Sequence, residues 1–171
     1  GDFYGIQDFI FSAGGELNKN RSKILRGRSF AVSMFSELAA DMICRAIGLS
    51  HLSVILNAAG KFTLIAPNTI TAVEKIKQVE GKINRWLYDI SYGQSSLGII
   101  HTAAAPKDFI KGGFARLWNE KHQPSLERKK FSKIDLNLYG GVVAGYLDQF
   151  NNNLQKPLCP LCGKRPAHSE A

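Results

Sequence analysis

The stretch Ser53–Asn68, SVILNAAGKFTLIAPN, sets two apolar runs on either side of a cluster of small residues. Ser53–Asn57 and Phe62–Ala66 read as the arms of a β-hairpin, with Gly60 supplying the positive φ that such a turn needs. Both arms are apolar on both faces, which predicts strands placed centrally in a covered sheet. The tip, Asn57-Ala58-Ala59-Gly60-Lys61, holds no carboxylate.

Working outward, Gly27 to Ile47 has helical periodicity. Phe30, Met34, Leu38 and Met42 form one row, and Phe35, Ala39, Ile43 and Ile47 the row beside it. Together they predict a wide apolar stripe against a sheet, ended by Gly48 as the residue after the cap. Cys44 falls inside this helix and reads as core. After the hairpin, Thr71-Ala72-Val73-Glu74 has the form of a capping box. It opens a helix expected to run to about Tyr88 and to bury Val73, Ile76, Val79, Ile83 and Trp86-Leu87. Leu97–Ala104 reads as a further strand, and Gly1–Tyr4 as the tail of the first. The order β-α-β-β-α-β is the ferredoxin-like α+β arrangement, a four-stranded antiparallel sheet with both helices on one face.

That unit is expected over residues 1–105. Residues 106–153 read as a helical extension, opened by a helix over Pro106–Gln123 even though Gly112 and Gly113 each cost it about 1 kcal/mol relative to Ala. The basic run Leu126–Lys133 reads as a solvated loop. Residues 154–171 form a separate turn-rich segment. The chain begins where a strand is already under way and stops just after half of a metal motif, so it reads as an internal piece of a larger protein.

The 171 residues carry a net charge of +8. Basic residues cluster at Lys19–Arg28, Lys121–Lys133 and Lys156–Arg165, which fits a polyanionic partner without requiring one. No apolar run approaches the length that spans a bilayer, so no membrane partner is expected. Three cysteines are too few for a disulfide scaffold, and a reducing cytoplasm fits best. Two of them stand as Cys159-Pro-Leu-Cys162, followed by Gly163. Two thiolates on one tight turn make half of a tetrahedral zinc site, which needs two further ligands. His168 is one available donor. His51, His101 and His122 have no partner in the sequence.

The same β-α-β-β-α-β plan serves as the palm of nucleotidyl cyclases and polymerases. There, carboxylates on the first strand and the hairpin hold two divalent ions for an in-line displacement. Asp2 takes the first-strand position here, but the hairpin offers no second acid, and Lys61 repels a cation.

Four motifs sharpen this. Gly1-Asp2-Phe3-Tyr4-Gly5-Ile6-Gln7-Asp8-Phe9-Ile10-Phe11 resembles the D-x-S-G-I-Q-x-F-I-F signature of the large subunit of type III CRISPR effector complexes, with Phe3-Tyr4 departing from it. Leu25-Arg26-Gly27-Arg28-Ser29-Phe30 matches that family's L-R-x-R-S-F. Ala59-Gly60-Lys61-Phe62 matches its G-G-K/R-F hairpin, and Cys159–Gly163 its C-x-x-C-G. The wording from Gly60 to Asn68 leans towards the III-A (Csm) branch.

The resemblance implies the first of two palm domains, a degenerate one. In that family the second palm carries Gly-Gly-Asp-Asp and makes cyclic oligoadenylates from ATP when target RNA is bound. An HD nuclease domain is often present as well. Neither motif occurs here, so the chain alone is expected to be inactive. The implied ATP is shared with the second palm, which holds most of the Mg or Mn. Nucleotide contacts would come from Asp2, Phe3, Tyr4, Gly5 and Ile6 on one side and Asn57, Ala58, Ala59, Gly60 and Lys61 on the other. Arg26 and Arg28, read as lying ahead of a helix, are candidates for phosphate or interface contact, with a salt bridge inside the fold as the plainer role. Cys159 and Cys162 would hold zinc at an incomplete site. Implied partners are the second palm, the other effector subunits, and CRISPR RNA with its target RNA. Two other readings stay open: a basic RNA- or DNA-binding module with a zinc ribbon, and a non-catalytic GGDEF-like nucleotide-binding regulatory domain.

Overall fold

The computed structural model describes residues 1–11, 21–91 and 93–131. Cys159, Cys162, His168 and the 139–150 segment lie outside these residues. The chain divides into two units, one of residues 1–6 and 32–134, the other of residues 7–31 and 135–171.

The first unit is built on a four-stranded antiparallel sheet in the order β2-β3-β1-β4. Its strands are β1 (Asp2–Tyr4), β2 (Val54–Ala58), β3 (Lys61–Leu64) and β4 (Ser96–Gly98). β2 is therefore an edge strand, a correction to the central placement expected of both arms. It also carries a bulge between Val54 and Leu56. An extra residue in one strand breaks the alternation of faces. Ile55 and Leu56 are 52% and 49% exposed, which is where the surplus apolar character of the hairpin goes.

Two long helices meet the sheet, α2 (Arg21–Ile47) and α3 (Ile70–Ser91), while α1 is the short Ile6–Phe11. Phe3, Phe62 and Leu97 from the strands join Ala39, Ala40, Ile43, Val79, Ile83 and Leu87 from the helices in one core. On α2 the buried set is Val32, Ser36, Ala39, Ala40, Ile43 and Cys44. The expected stripe is thus half right. Phe35 and Ile47 pack against the core with Ala39 and Ile43, but Phe30, Met34, Leu38 and Met42 are exposed. A helix lies close to a sheet on its small residues, and Ser36, Ala39 and Ala40 supply that face where a row of long side chains would hold it off.

α2 ends as expected, with Gly48 at φ +74° and the Leu49 N–H donating to the Cys44 carbonyl at 2.8 Å. α3 starts two residues earlier than the capping box predicts. Thr69 Oγ1 accepts from the Ala72 N–H at 3.2 Å, so Thr69 is the cap and Thr71 lies inside the helix.

β4 is shorter than the run Leu97–Ala104, and its free edge is closed by side chains. Asn84 on α3 donates Nδ2 to the Leu97 carbonyl at 2.8 Å and accepts the Leu97 N–H on Oδ1 at 2.7 Å. Glu80, one turn before, accepts the Ile99 N–H at 2.9 Å. A strand edge normally offers these groups to another strand; here a helix satisfies them. The expected helix over Pro106–Gln123 is broken. A 3₁₀ turn at Pro106–Phe109 precedes Gly112 at φ +81°, then come α4 (Gly113–Leu117), a π-helical turn at Trp118–His122, and α5 (Gln123–Phe131). The basic run is accordingly helical as far as Phe131, not a loop. No described helix is long and apolar enough to cross a membrane.

Replacing Asn84 with Leu strands a buried N–H and C=O of Leu97. Denaturant unfolding is expected to show a loss of about 2–4 kcal/mol, since each unpaired group costs ~1–3 kcal/mol; a loss under 1 kcal/mol would show the edge plug to be dispensable.

Candidate functional site

The hairpin tip is a two-residue turn. Ala58 pairs with Lys61, and the residues between, Ala59 and Gly60, have φ of +53° and +82°. Positive φ at both central positions is the I′ signature, whose twist matches that of the strands. Gly60 was legible from the sequence; the same demand on Ala59 was not, since alanine pays a steric cost there.

The tip is seated on β1. The Phe3 N–H donates to the Gly60 carbonyl at 3.0 Å. A Cβ at Gly60 would stand 2.4 Å from Ile6 Cδ1, so a larger residue would oblige that side chain to shift on top of the strain at φ +82°. Gly5, at φ +78°, has the same double constraint, because a Cβ there would stand 2.0 Å from the Gln94 carbonyl oxygen.

Strand alternation sorts the sequence-predicted residues. Phe3 turns into the core, its ring 6.3 Å from Phe35, so its side chain serves packing. Asp2 and Lys61 are direct partners across the β1–β3 ladder, with Lys61 Nζ 3.6 Å from Asp2 Oδ2. Tyr4 shares their face. It lies over Gly98, where an added Cβ would meet its ring at 2.5 Å, and its hydroxyl donates to the Leu126 carbonyl at 3.4 Å. Asn57 pairs with Phe62 and so belongs to the helix side, where its Nδ2 donates to Glu37 Oε2 on α2. The other oxygen of Glu37 meets His51 Nε2 at 3.0 Å. Asp2 and Lys61 therefore come together, and Asn57 stands on the opposite face. Glu37 and His51 were not foreseen, because residues 14 and 20 positions away from each other and from the tip become neighbours only when α2 packs beside β2.

Arg26 and Arg28 do not precede a helix: both lie within α2, which begins at Arg21. Their charges thus sit past its first turn, where the dipole's effect has faded. Arg26 Nε donates to the Ser22 carbonyl at 3.3 Å and Arg28 Nη1 to the Ile10 carbonyl at 3.2 Å. Within the basic run, Lys129 pairs with Glu80 at 2.9 Å.

Burial raises the pKa of Asp2, while Lys61 and Lys130 pull it down without cancelling the rise. Burial likewise raises Tyr4, helped by the nearby carboxylates of Asp2, Glu80 and Glu127. His122 is pushed down by burial; it stacks on Trp118 at 4.5 Å and shares a hydrogen bond with Thr102 Oγ1 at 3.1 Å. One carboxylate facing an ammonium does not suit a divalent ion, and no group of three or more metal-type ligands occurs among the described residues. Two cavities among the described residues lie elsewhere. One of about 220 Å³ is lined by Ile43, Phe62, Ile76, Phe109 and Leu117, and an open groove of about 440 Å³ runs between Ile55, Leu56 and Phe114, Trp118. Neither touches Asp2 or Asn57–Lys61.

Comparison with known proteins gives one family. The model described as Csm1 subunit domain B matches residues 1–139. A curated relative from Thermococcus onnurineus, the CRISPR system single-strand-specific deoxyribonuclease Cas10/Csm1 of subtype III-A, is 30% identical over 96% of this chain and 20% of its own. Its counterpart in Methanocaldococcus jannaschii is 28% identical over 95% of this chain and again 20% of its own. The chain thus spans about a fifth of the length of these relatives. Among solved structures, a Csm1-Csm4 cassette in complex with pppApApA superposes with a TM-score of 0.68 at 26% identity, covering 94% of this chain and 22% of that one. A cassette in complex with one ATP gives 0.65 at 29%, over 80% and 19%.

Two outcomes test this geometry. Ala59→Gly is expected to stabilise the fold by ~1 kcal/mol in chemical denaturation, by relieving the left-handed alanine. Asp2 has a folded pKa above its unfolded value of roughly 3.9, so its favourable contribution is complete below that value and lost as pH rises through the folded pKa. Asp2→Asn should therefore melt above the parent at pH 7, with the gap closing by pH 3; a parent that melts higher at pH 7 would show that the Lys61 pair outweighs desolvation.

Proposed function

Because the chain belongs to the Csm1 subunit domain B family, we propose that it is the degenerate first palm of a type III-A CRISPR effector large subunit. In this reading its sheet is a ferredoxin-like palm that helps bind ATP for cyclic oligoadenylate synthesis, with the divalent ions and the reacting groups supplied by a second palm. The observation that carries it is the cross-strand pair of Asp2 and Lys61. A two-metal site needs convergent carboxylates; a lysine opposite the single first-strand acid neutralises it and leaves an ammonium, 59% exposed, at the hairpin. That ammonium suits a phosphate, and the exposed Ala58 and Ala59 beside it leave room for close approach.

The strand order β2-β3-β1-β4 supports the palm reading, since it is the order that β-α-β-β-α-β produces when the first and fourth strands meet in the middle and at one edge. Relatives solved as Csm1-Csm4 cassettes with ATP, AMPPNP and cA4 support nucleotide binding and assembly with further effector subunits. The zinc half-site at Cys159 and Cys162, completed by ligands beyond it, belongs to the same reading, as does RNA contact through the assembled complex.

The test is direct. The purified chain should make no oligoadenylate from ATP and Mg²⁺. Calorimetric titration should show ATP binding that weakens about tenfold in Lys61→Ala, the size of one charge-assisted contact. Lys75→Ala, on the exposed side of α3, should leave it unchanged. Equal loss in both variants, or turnover by the chain alone, would overturn the proposal.

A further inference from the structure

The Asp2–Tyr4 side of the sheet is covered, although its own strands do not require it. Tyr4 is 4% exposed and Ser96, its direct partner on β4, is 5% exposed. The Ser96 hydroxyl is buried with no hydrogen-bond partner. Hydroxyls in that position ordinarily find one. The cover over this face includes α5, through the Leu126 carbonyl that receives the Tyr4 hydroxyl.

That cover is weakly held. The sequence of α5, QPSLERKKF, is polar, and within residues 123–130 Ser125, Leu126 and Lys129 are half-buried and the rest exposed. Among the described residues it is fastened by the 3.4 Å bond from Tyr4 and by the half-buried ion pair from Lys129 to Glu80 at 2.9 Å, with the charge of Lys130 also acting on Asp2. Behind it the chain has two irregular points, Gly112 in the left-handed region and the π-helical turn at Trp118–His122. Elements with few buried side chains of their own are among those that open first. Departures from the α-helical pattern are places where a helix can yield.

We infer that α5 is a strap latched by Lys129 to Glu80, and that it must lift from the Asp2–Tyr4–Ser96 face before the polar part of a nucleotide can reach it. This rests on the ATP reading above. Closed, the strap screens Asp2 and Tyr4 and leaves the Ser96 hydroxyl unpaired. Open, it presents a carboxylate, a phenol and a hydroxyl along one edge, with Lys61 beside them. Binding energy spent on lifting the strap is lost from the observed affinity, so weakening the latch should tighten ATP binding.

The experiment uses the full chain carrying Lys129→Met, which keeps the aliphatic stem and drops the charge, and Lys129→Arg, which keeps the latch. Opening is read from alkylation of the thiol introduced by Ser96→Cys, mapped by mass spectrometry. ATP affinity is read calorimetrically in chains that retain Ser96. Lys129→Met is expected to speed alkylation about tenfold and to lower the apparent ATP Kd by a similar factor, which corresponds to ~1.4 kcal/mol of latch; Lys129→Arg should match the parent in both. Faster alkylation with unchanged affinity would overturn the strap while leaving the ATP reading intact, and so would alkylation that does not respond to Lys129→Met. If neither the parent nor the variants bind ATP, the ATP reading fails, and the gating role with it.

Discussion

The Gly60 carbonyl accepts the Phe3 N–H at 3.0 Å, and the rest of the first unit depends on that contact. β1 is only three residues long, yet it lies between β3 and β4. So short a strand cannot fix its own register. It is placed by the hairpin turn seated on it and by the three paired positions with β4. The turn in turn sits where it does because Gly60 leaves the space that Ile6 and Val32 fill. A larger residue at the tip would oblige the Ile6 side chain to shift.

The same seating decides the chemistry on the sheet's outer face. With the register set, an acid and a lysine face each other, and the acid gains a partner at the cost of desolvation. Charge is balanced locally, which does not suit a divalent metal ion. The two edges of the sheet are handled in opposite ways. β4 is closed by Asn84 and Glu80, which return its backbone groups to α3. β2 is left with apolar side chains at its bulge and a groove beside it. Glu80 does double duty, holding the Ile99 N–H and the Lys129 ammonium on one oxygen, so the integrity of the β4 edge and the position of α5 are coupled.

Much of this was legible from residues in order. The hairpin, the helix ended by Gly48, the second helix and the strand after it follow from apolar periodicity and from glycine's tolerance of positive φ. The acid-free tip and the first-strand Asp2 are equally plain. What periodicity misjudged was which apolar face is buried. Phe30, Met34, Leu38 and Met42 form as good a row as Phe35, Ala39, Ile43 and Ile47, but only small neighbours permit close approach, and that depends on the sheet opposite. Both arms of the hairpin look central because β2 is as apolar as β3; a bulge and an edge position cannot be read from hydropathy. The N-cap of α3 went astray for a related reason, since Thr69 and Thr71 are both competent and the choice rests on where the chain leaves β3.

By itself, then, the sequence determined the hairpin, the two long helices, the presence of the first and last strands and the family, because those depend on local conformational preference and on motif wording. Tertiary structure alone decided that Asp2 meets Lys61, that Asn57 lies on the other face beside Glu37 and His51, that Arg26 and Arg28 sit within a helix, and that α5 rests over Tyr4. Each of these joins residues distant in the chain, through strand register or helix placement. Register carries a two-residue period that a single slip would invert, and it is set by the seating of one glycine turn on a three-residue strand.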